Sequence, residues 1–124
     1  FIKKALEGEP IKINNGGGQV RSWCYIDDIA DAVLLCMEKE TAVGEAFNIG
    51  NPRNTVTIKE LAEMVKKVAG SKSDIVAVKN DRAEVEVRIP DIEKAKKLLG
   101  FIPKVGLEDG LSRTVEWYRK EQKG

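Results

Sequence analysis

Apolar and polar positions follow two rhythms along this chain, and those rhythms assign most of its elements. Phe1, Ile2, Ala5 and Leu6 fall in a helical pattern stopped by Gly8 and Pro10. Ile11-Lys12-Ile13 alternates with period two and predicts a short strand. Residues 14–18 carry three consecutive glycines, which predict a turn without regular structure. Residues 19–26, rich in β-branched and aromatic side chains, predict an extended segment. Asp27 or Asp28 can cap a following helix, in which Ile29, Ala32, Val33, Cys36 and Met37 recur on one face. Gly44 resets the chain before Ala46-Phe47-Asn48-Ile49, an alternating strand candidate closed by Gly50-Asn51-Pro52. Thr57 and Glu60 have the spacing of a capping box. The helix they open buries Ile58, Leu61, Ala62, Val65 and Val68 and ends at Gly70. Strands are predicted over residues 75–78 and 85–89. Pro90-Asp91 opens a helix with Ile92, Ala95, Leu98 and Leu99 inward, and a last helix from about Leu107 aligns Leu111, Val115 and Tyr118. The sum is an α/β (α+β) chain: a small mixed sheet of short strands with about four helices, one unit over residues 1–124, with no repeat or linker.

Composition narrows what such a chain can do. Hydrophobic residues make up 42%, enough for a packed core, while 21 Lys and Arg nearly cancel 20 Asp and Glu. No net field recruits nucleic acid or an anionic membrane, so an anion must be held by a few placed groups. The absence of histidine removes the usual zinc sets and Ser/His or Cys/His catalysis. Cys24 and Cys36 read as buried small hydrophobes in a reducing compartment, which predicts a cytoplasmic protein. No apolar run reaches membrane-span length. Because Phe1 stands inside a helical pattern, the chain is expected to be cut away from preceding residues.

Two further patterns bear on chemistry. A phosphate-cradling loop needs a helix start after its glycines, so that backbone N–H groups face the anion. Gly16-Gly17-Gly18 instead precedes an extended segment, so it predicts a turn and no cofactor loop. A tyrosine with a lysine one helical turn later is also missing: Ile29 follows Tyr25, and Gln122 follows Tyr118. No catalytic residue is assigned.

The blocks Gly8-Glu9-Pro10-Ile11 and Gly17-Gly18-Gln19-Val20-Arg21-Ser22-Trp23-Cys24-Tyr25-Ile26-Asp27-Asp28 nevertheless form a pattern. They are followed by Phe47-Asn48-Ile49-Gly50-Asn51-Pro52, then Thr57-Ile58 with Glu60-Leu61-Ala62. Arg88-Ile89-Pro90-Asp91-Ile92 with Lys94-Ala95, Leu99-Gly100-Phe101 with Pro103, and Trp117-Tyr118 complete the set. In this order the blocks resemble the C-terminal part of the extended short-chain dehydrogenase/reductase family, the NAD-dependent nucleotide-sugar epimerases and dehydratases of the UDP-glucose 4-epimerase type.

The resemblance implies a division of labour. An N-terminal Rossmann half, absent from this chain, would hold NAD and the Tyr-Lys pair. The present part would be the substrate-binding domain for a UDP- or dTDP-linked sugar and would bind no cofactor itself. Arg21 matches an arginine that contacts the nucleotide diphosphate or ribose; its guanidinium offers a planar fork to phosphate oxygens. Asn48 matches a strand-end amide that meets the ligand or fixes the next turn. Arg82 and Arg88 flank the position of a second diphosphate arginine, where the family's Pro-Gly is replaced by Ala83-Glu84. Lys12 and Asn14 lie on the strand whose backbone reads the base. The strand matching Phe47 to Ile49 and the helix before it would pack on or join the Rossmann sheet. The parent would be a homodimeric isomerase or lyase, an epimerase, dehydratase or decarboxylase, and this piece a monomer. A non-catalytic interaction module that keeps the fold is the competing class, and a dTDP-sugar reductase the alternative enzyme.

Overall fold

A computed structural model describes residues 1–121. Its elements run α1 (Ile2–Glu7), β1 (Ile11–Asn14), β2 (Val20–Ser22), α2 (Ile26–Glu38), β3 (Thr55–Thr57), α3 (Ile58–Ala69), β4 (Ile75–Val78), β5 (Val87–Arg88), α4 (Glu93–Leu99) and α5 (Leu107–Glu121). β1 and β4 pair in parallel, with Ile11 opposite Ile75 and Asn14 opposite Val78. A second sheet has the order β3-β2-β5. The mixed α/β class read from the sequence is the one observed.

The described chain divides into two compact units, each assembled from separated stretches. Among the described residues, one comprises 1–21, 56–87 and 108–121; the other comprises 22–55 and 88–107.

In the first unit, α3 is the central support. Thr57 caps it by accepting from the Glu60 N–H at 3.1 Å, while Glu60 accepts from the Thr57 N–H at 2.7 Å, the reciprocal arrangement expected from the spacing. Leu61, Ala62, Val65 and Ala69 are buried from this helix, together with Ile11 and Ile13 of β1, Ala5 of α1 and Val115 of α5. Gly70 ends α3 in the left-handed conformation, where a residue without Cβ is least strained. The glycine turn is tight and left-handed: Asn15, Gly16 and Gly17 all take positive φ, at 47, 79 and 73. Gly17 has φ +73, and a Cβ there would lie 2.9 Å from the Lys59 N, so the turn sits directly on α3.

The second unit packs Ala32 of α2 with Ile92, Ala95, Leu99 and Phe101, and Leu35, Cys36, Ala42, Phe47 and Ile49 close over this core. Its 103–107 segment is held by buried side chains. Asp28, only 2% exposed, accepts from the Lys104 N–H at 2.8 Å and the Val105 N–H at 3.0 Å. Asn51 and Asn54 both donate to the Val105 carbonyl, and Asn54 also accepts from the Leu107 N–H.

Several expectations are corrected. Neither Asp27 nor Asp28 caps α2. Tyr25 is the N-cap without a side-chain cap bond, and both aspartates lie inside the first turn. The extended segment predicted over 19–26 is a regular strand only over Val20–Ser22, with single backbone hydrogen bonds continuing at Gln19 to Ile58 and at Trp23 to Asn54. β3 itself falls in a stretch read only as a helix cap. Residues 46–49 form no strand: Phe47 and Ile49 turn into the core and Asn48 outward, yet no strand pairs with them among the described residues. The 85–89 candidate shrinks to Val87–Arg88, and the helix opened by Pro90-Asp91 begins at Glu93.

The apolar face assigned to α2 is also partly wrong. Ala32 is buried, but Val33 and Met37 are exposed, as are Ile26 and Leu34, with Met37 at 78%. Apolar residues run nearly all round this helix, so periodicity alone could not choose which side packs.

Candidate functional site

The polar residues of the first unit converge where the β1 end, the glycine turn and the segment after β4 meet. The parallel register brings Asn14 opposite Val78, which places the chain after β4 beside the turn. Asn15, at φ 47, clamps that segment in both directions: its Nδ2 donates to the Asn80 carbonyl at 2.9 Å, and its Oδ1 accepts from the Asn80 N–H at 2.9 Å. Asn80 then folds the following residues by accepting from the Arg82 N–H at 3.2 Å.

At the centre of the arrangement is Glu84. Its Oε1 accepts from Asn14 Nδ2 at 2.9 Å and from Asn80 Nδ2 at 2.7 Å, and its Oε2 accepts from Gln19 Nε2. The Asn14 hydrogen bond, with those from Asn80 and Gln19 and the nearby Arg21 charge, holds the Glu84 carboxyl below the usual carboxylate range. Arg21 is half-buried and donates from Nη1 to the adjacent Val20 carbonyl at 2.8 Å; no ion pair engages it among the described residues. A guanidinium has five donors, so Arg21 keeps capacity for an anion.

The six residues singled out in the sequence therefore separate. Lys12, Asn14, Arg21 and Arg82 belong to the first unit, whereas Asn48 and Arg88 belong to the second. Asn14 is joined to the hydrogen-bonded cluster and Arg21 reaches it electrostatically. Arg82 is exposed two residues from Glu84, and Lys12 is exposed on β1. Asn48 and Arg88 are both exposed. Sequence reasoning missed Glu84, Asn15 and Asn80 as participants. Ala83-Glu84 registered only as a departure from a family motif, and two of its three amide partners, Asn14 and Gln19, lie 70 and 65 residues away in sequence.

Other chemistry is sparse. Burial, with the neighbouring Asp28 charge, pushes the Cys24 thiol above its ordinary value, so it is a poor nucleophile. Among the described residues no group of three His, Cys, Asp or Glu is placed to hold a metal ion, and no helix is long and apolar enough to cross a membrane.

Comparison with known proteins adds the following. Residues 1–50 match the model of the NAD dependent epimerase/dehydratase family. The chain is 37% identical over 121 residues to a UDP-glucuronate 4-epimerase of Thermodesulfobacterium geofontis, covering 97% of this chain and 36% of that protein. It is 40% identical over 119 residues to UDP-glucuronic acid decarboxylase 5 of Arabidopsis thaliana, covering 96% of this chain and 34% of the relative. A solved UDP-glucuronic acid 4-epimerase from Bacillus cereus, in complex with UDP-glucuronic acid and NAD, superposes with a TM-score of 0.89 at 30% identity. That match covers 97% of this chain and 38% of the other. The chain thus spans about a third of the length of the curated relatives it matches.

Proposed function

Because the chain belongs to the NAD-dependent epimerase/dehydratase family, we propose that it is the C-terminal part of such an enzyme and grips the nucleotide diphosphate of a UDP-linked sugar. The observation that carries this reading is a similarity running along 96–97% of the chain to proteins named for UDP-glucuronate chemistry. The first unit supports it physically. Arg21 supplies the fork for phosphate oxygens, Asn14 ends the strand assigned to the base, and Lys12 adds positive charge along it. Arg82 is the preferred second arm, since it shares a unit with Arg21; Asn48 and Arg88 are assigned to the ligand on family resemblance alone.

NAD does not fit the residues of this chain. The Asn15–Gly17 turn leads to β2 rather than to a helix N-terminus, and neither tyrosine is followed one turn later by lysine. No step of the reaction is therefore assigned to it. Its contribution is to bind and orient the sugar nucleotide, while a Rossmann portion outside this sequence supplies cofactor and proton transfer.

The test joins the chain to such a Rossmann portion and replaces Arg21 by alanine. Calorimetric titration with a UDP-sugar should show a loss of about 2–4 kcal/mol, the range for truncating one partner of a desolvated charge pair. Unchanged affinity would remove Arg21 from the grip and favour a non-catalytic interaction module. Turnover of a UDP-sugar by the 124-residue chain with NAD alone would overturn the division of labour.

A further inference from the structure

The carboxylate of Glu84 occupies a position with an unusual donor set. Three side-chain amides, from Asn14, Gln19 and Asn80, all present N–H groups to it. The orientation of Gln19 is fixed by its surroundings: Nε2 faces two acceptors, Glu84 Oε2 and the Asn14 carbonyl at 3.4 Å. Its Oε1 consequently points away and is buried without a partner. Asn80 is fixed similarly, because its Oδ1 accepts from the Arg82 N–H while its Nδ2 donates to Glu84 Oε1. Convergent amides, two of them locked in the donor sense, form a cradle for an anion, and Arg21 contributes positive potential to the same point.

An anion cradle filled by the chain's own carboxylate cannot also hold a ligand's anion. We propose that Glu84 is an internal stand-in for a phosphoryl group: it fills the anion position of the unliganded site, and a nucleoside diphosphate binds by displacing it. The inference rests on the reading of the first unit as a diphosphate grip. A phosphoryl group offers more acceptor oxygens and more negative charge than a carboxylate, so it makes stronger charge-assisted bonds with the same donors. Glu84 is only partly buried, on a segment tied down through Asn80, so it can swing out without unpacking the core. Its charge sets a threshold: weakly anionic ligands fail to displace it, and a diphosphate succeeds.

The discriminating experiment titrates the chain and its Glu84→Gln variant with UDP, inorganic pyrophosphate and uridine at low and high salt. Circular dichroism confirms that the variant folds. With the repelling charge removed, UDP and pyrophosphate should bind roughly tenfold tighter, less so at high salt, while uridine affinity is unchanged. Equal or weaker binding of both anions by E84Q overturns the stand-in; UDP binding by the native chain would then leave the grip itself standing. Failure of both proteins to bind either anion overturns the two readings together. A gain for pyrophosphate alone supports the stand-in while counting against the nucleotide. In the native chain, the side-chain amide NMR signals of Asn14 and Asn80 should shift on saturation with UDP. Signals that stay in place while UDP binds would also sink the proposal.

Discussion

At the scale of single residues, Asp28 shows how a sequence pattern can be locally sensible and still misassign a side chain. Two adjacent carboxylates at the start of an apolar helical pattern fit helix capping, and both do lie in the first turn of α2, where negative charge complements the helix dipole. Yet Asp28 is buried and spends both oxygens on backbone N–H groups 76 and 77 residues away. No local rule could have found those partners. Replacing Asp28 by alanine would strand two N–H donors in a water-poor place, at about 1–3 kcal/mol for each unsatisfied group. Urea unfolding of Asp28→Ala should therefore show a loss of about 2–6 kcal/mol, whereas Asp27→Ala, at an exposed position, should cost much less. A small effect at Asp28 would mean that water reaches the 104–105 backbone. Arg21 and Asn14 were legible as site candidates because their side chains suit an anion and lie in a recognisable block. Glu84 was not, since its meaning depends on amides brought to it by the β1–β4 register.

Elements were legible where their signals are internal to the segment. α3 carries its start, its face and its stop within 14 residues, from Thr57 to Gly70. α1, α4 and α5 also announce their apolar positions. The short strands were less visible, because a three-residue strand such as β3 exists only through its neighbour. Residues 46–49 show the converse, with a strand-like alternation and no partner.

The α3 cap makes a pH-dependent prediction. The backbone hydrogen bond from Thr57, with its hydroxyl, holds the Glu60 carboxyl below its ordinary value. A depressed folded-state value means the unfolded state binds the proton more readily. The cap's contribution is thus complete above the unfolded value, about 4.3 for glutamate, and is lost as pH falls through the lower folded one. Thermal unfolding followed by circular dichroism should show Glu60→Gln less stable than the native chain at pH 7, with the gap closing toward pH 3. Thr57→Ala should cost about 0.5–2 kcal/mol at neutral pH. A gap that persists undiminished at pH 3 would show that ionisation of Glu60 contributes nothing.

For the molecule as a whole, the sequence offers no linker because the chain passes between its two units at 21–22, 55–56, 87–88 and 107–108. Units woven from alternating stretches leave no boundary in composition, and a linear reading cannot separate them. Site residues that stand in one family pattern accordingly fall into different units, with Arg21 in one and Asn48 in the other.

The outward side of α2, where Ile26, Val33, Leu34 and Met37 stand exposed, has a consequence for how this protein survives at concentration. Apolar stripes of this kind govern clumping on warming and capture by cellular quality control, and they do so independently of how firmly the core is packed. Val33→Glu combined with Met37→Lys should raise soluble yield and delay the onset of light scattering during heating, while the unfolding free energy from the urea midpoint stays within about 0.5 kcal/mol of the native chain's. If the midpoint falls sharply, these side chains belong to the fold after all. If only the turbidity changes, the stripe limits the protein's working lifetime rather than its stability.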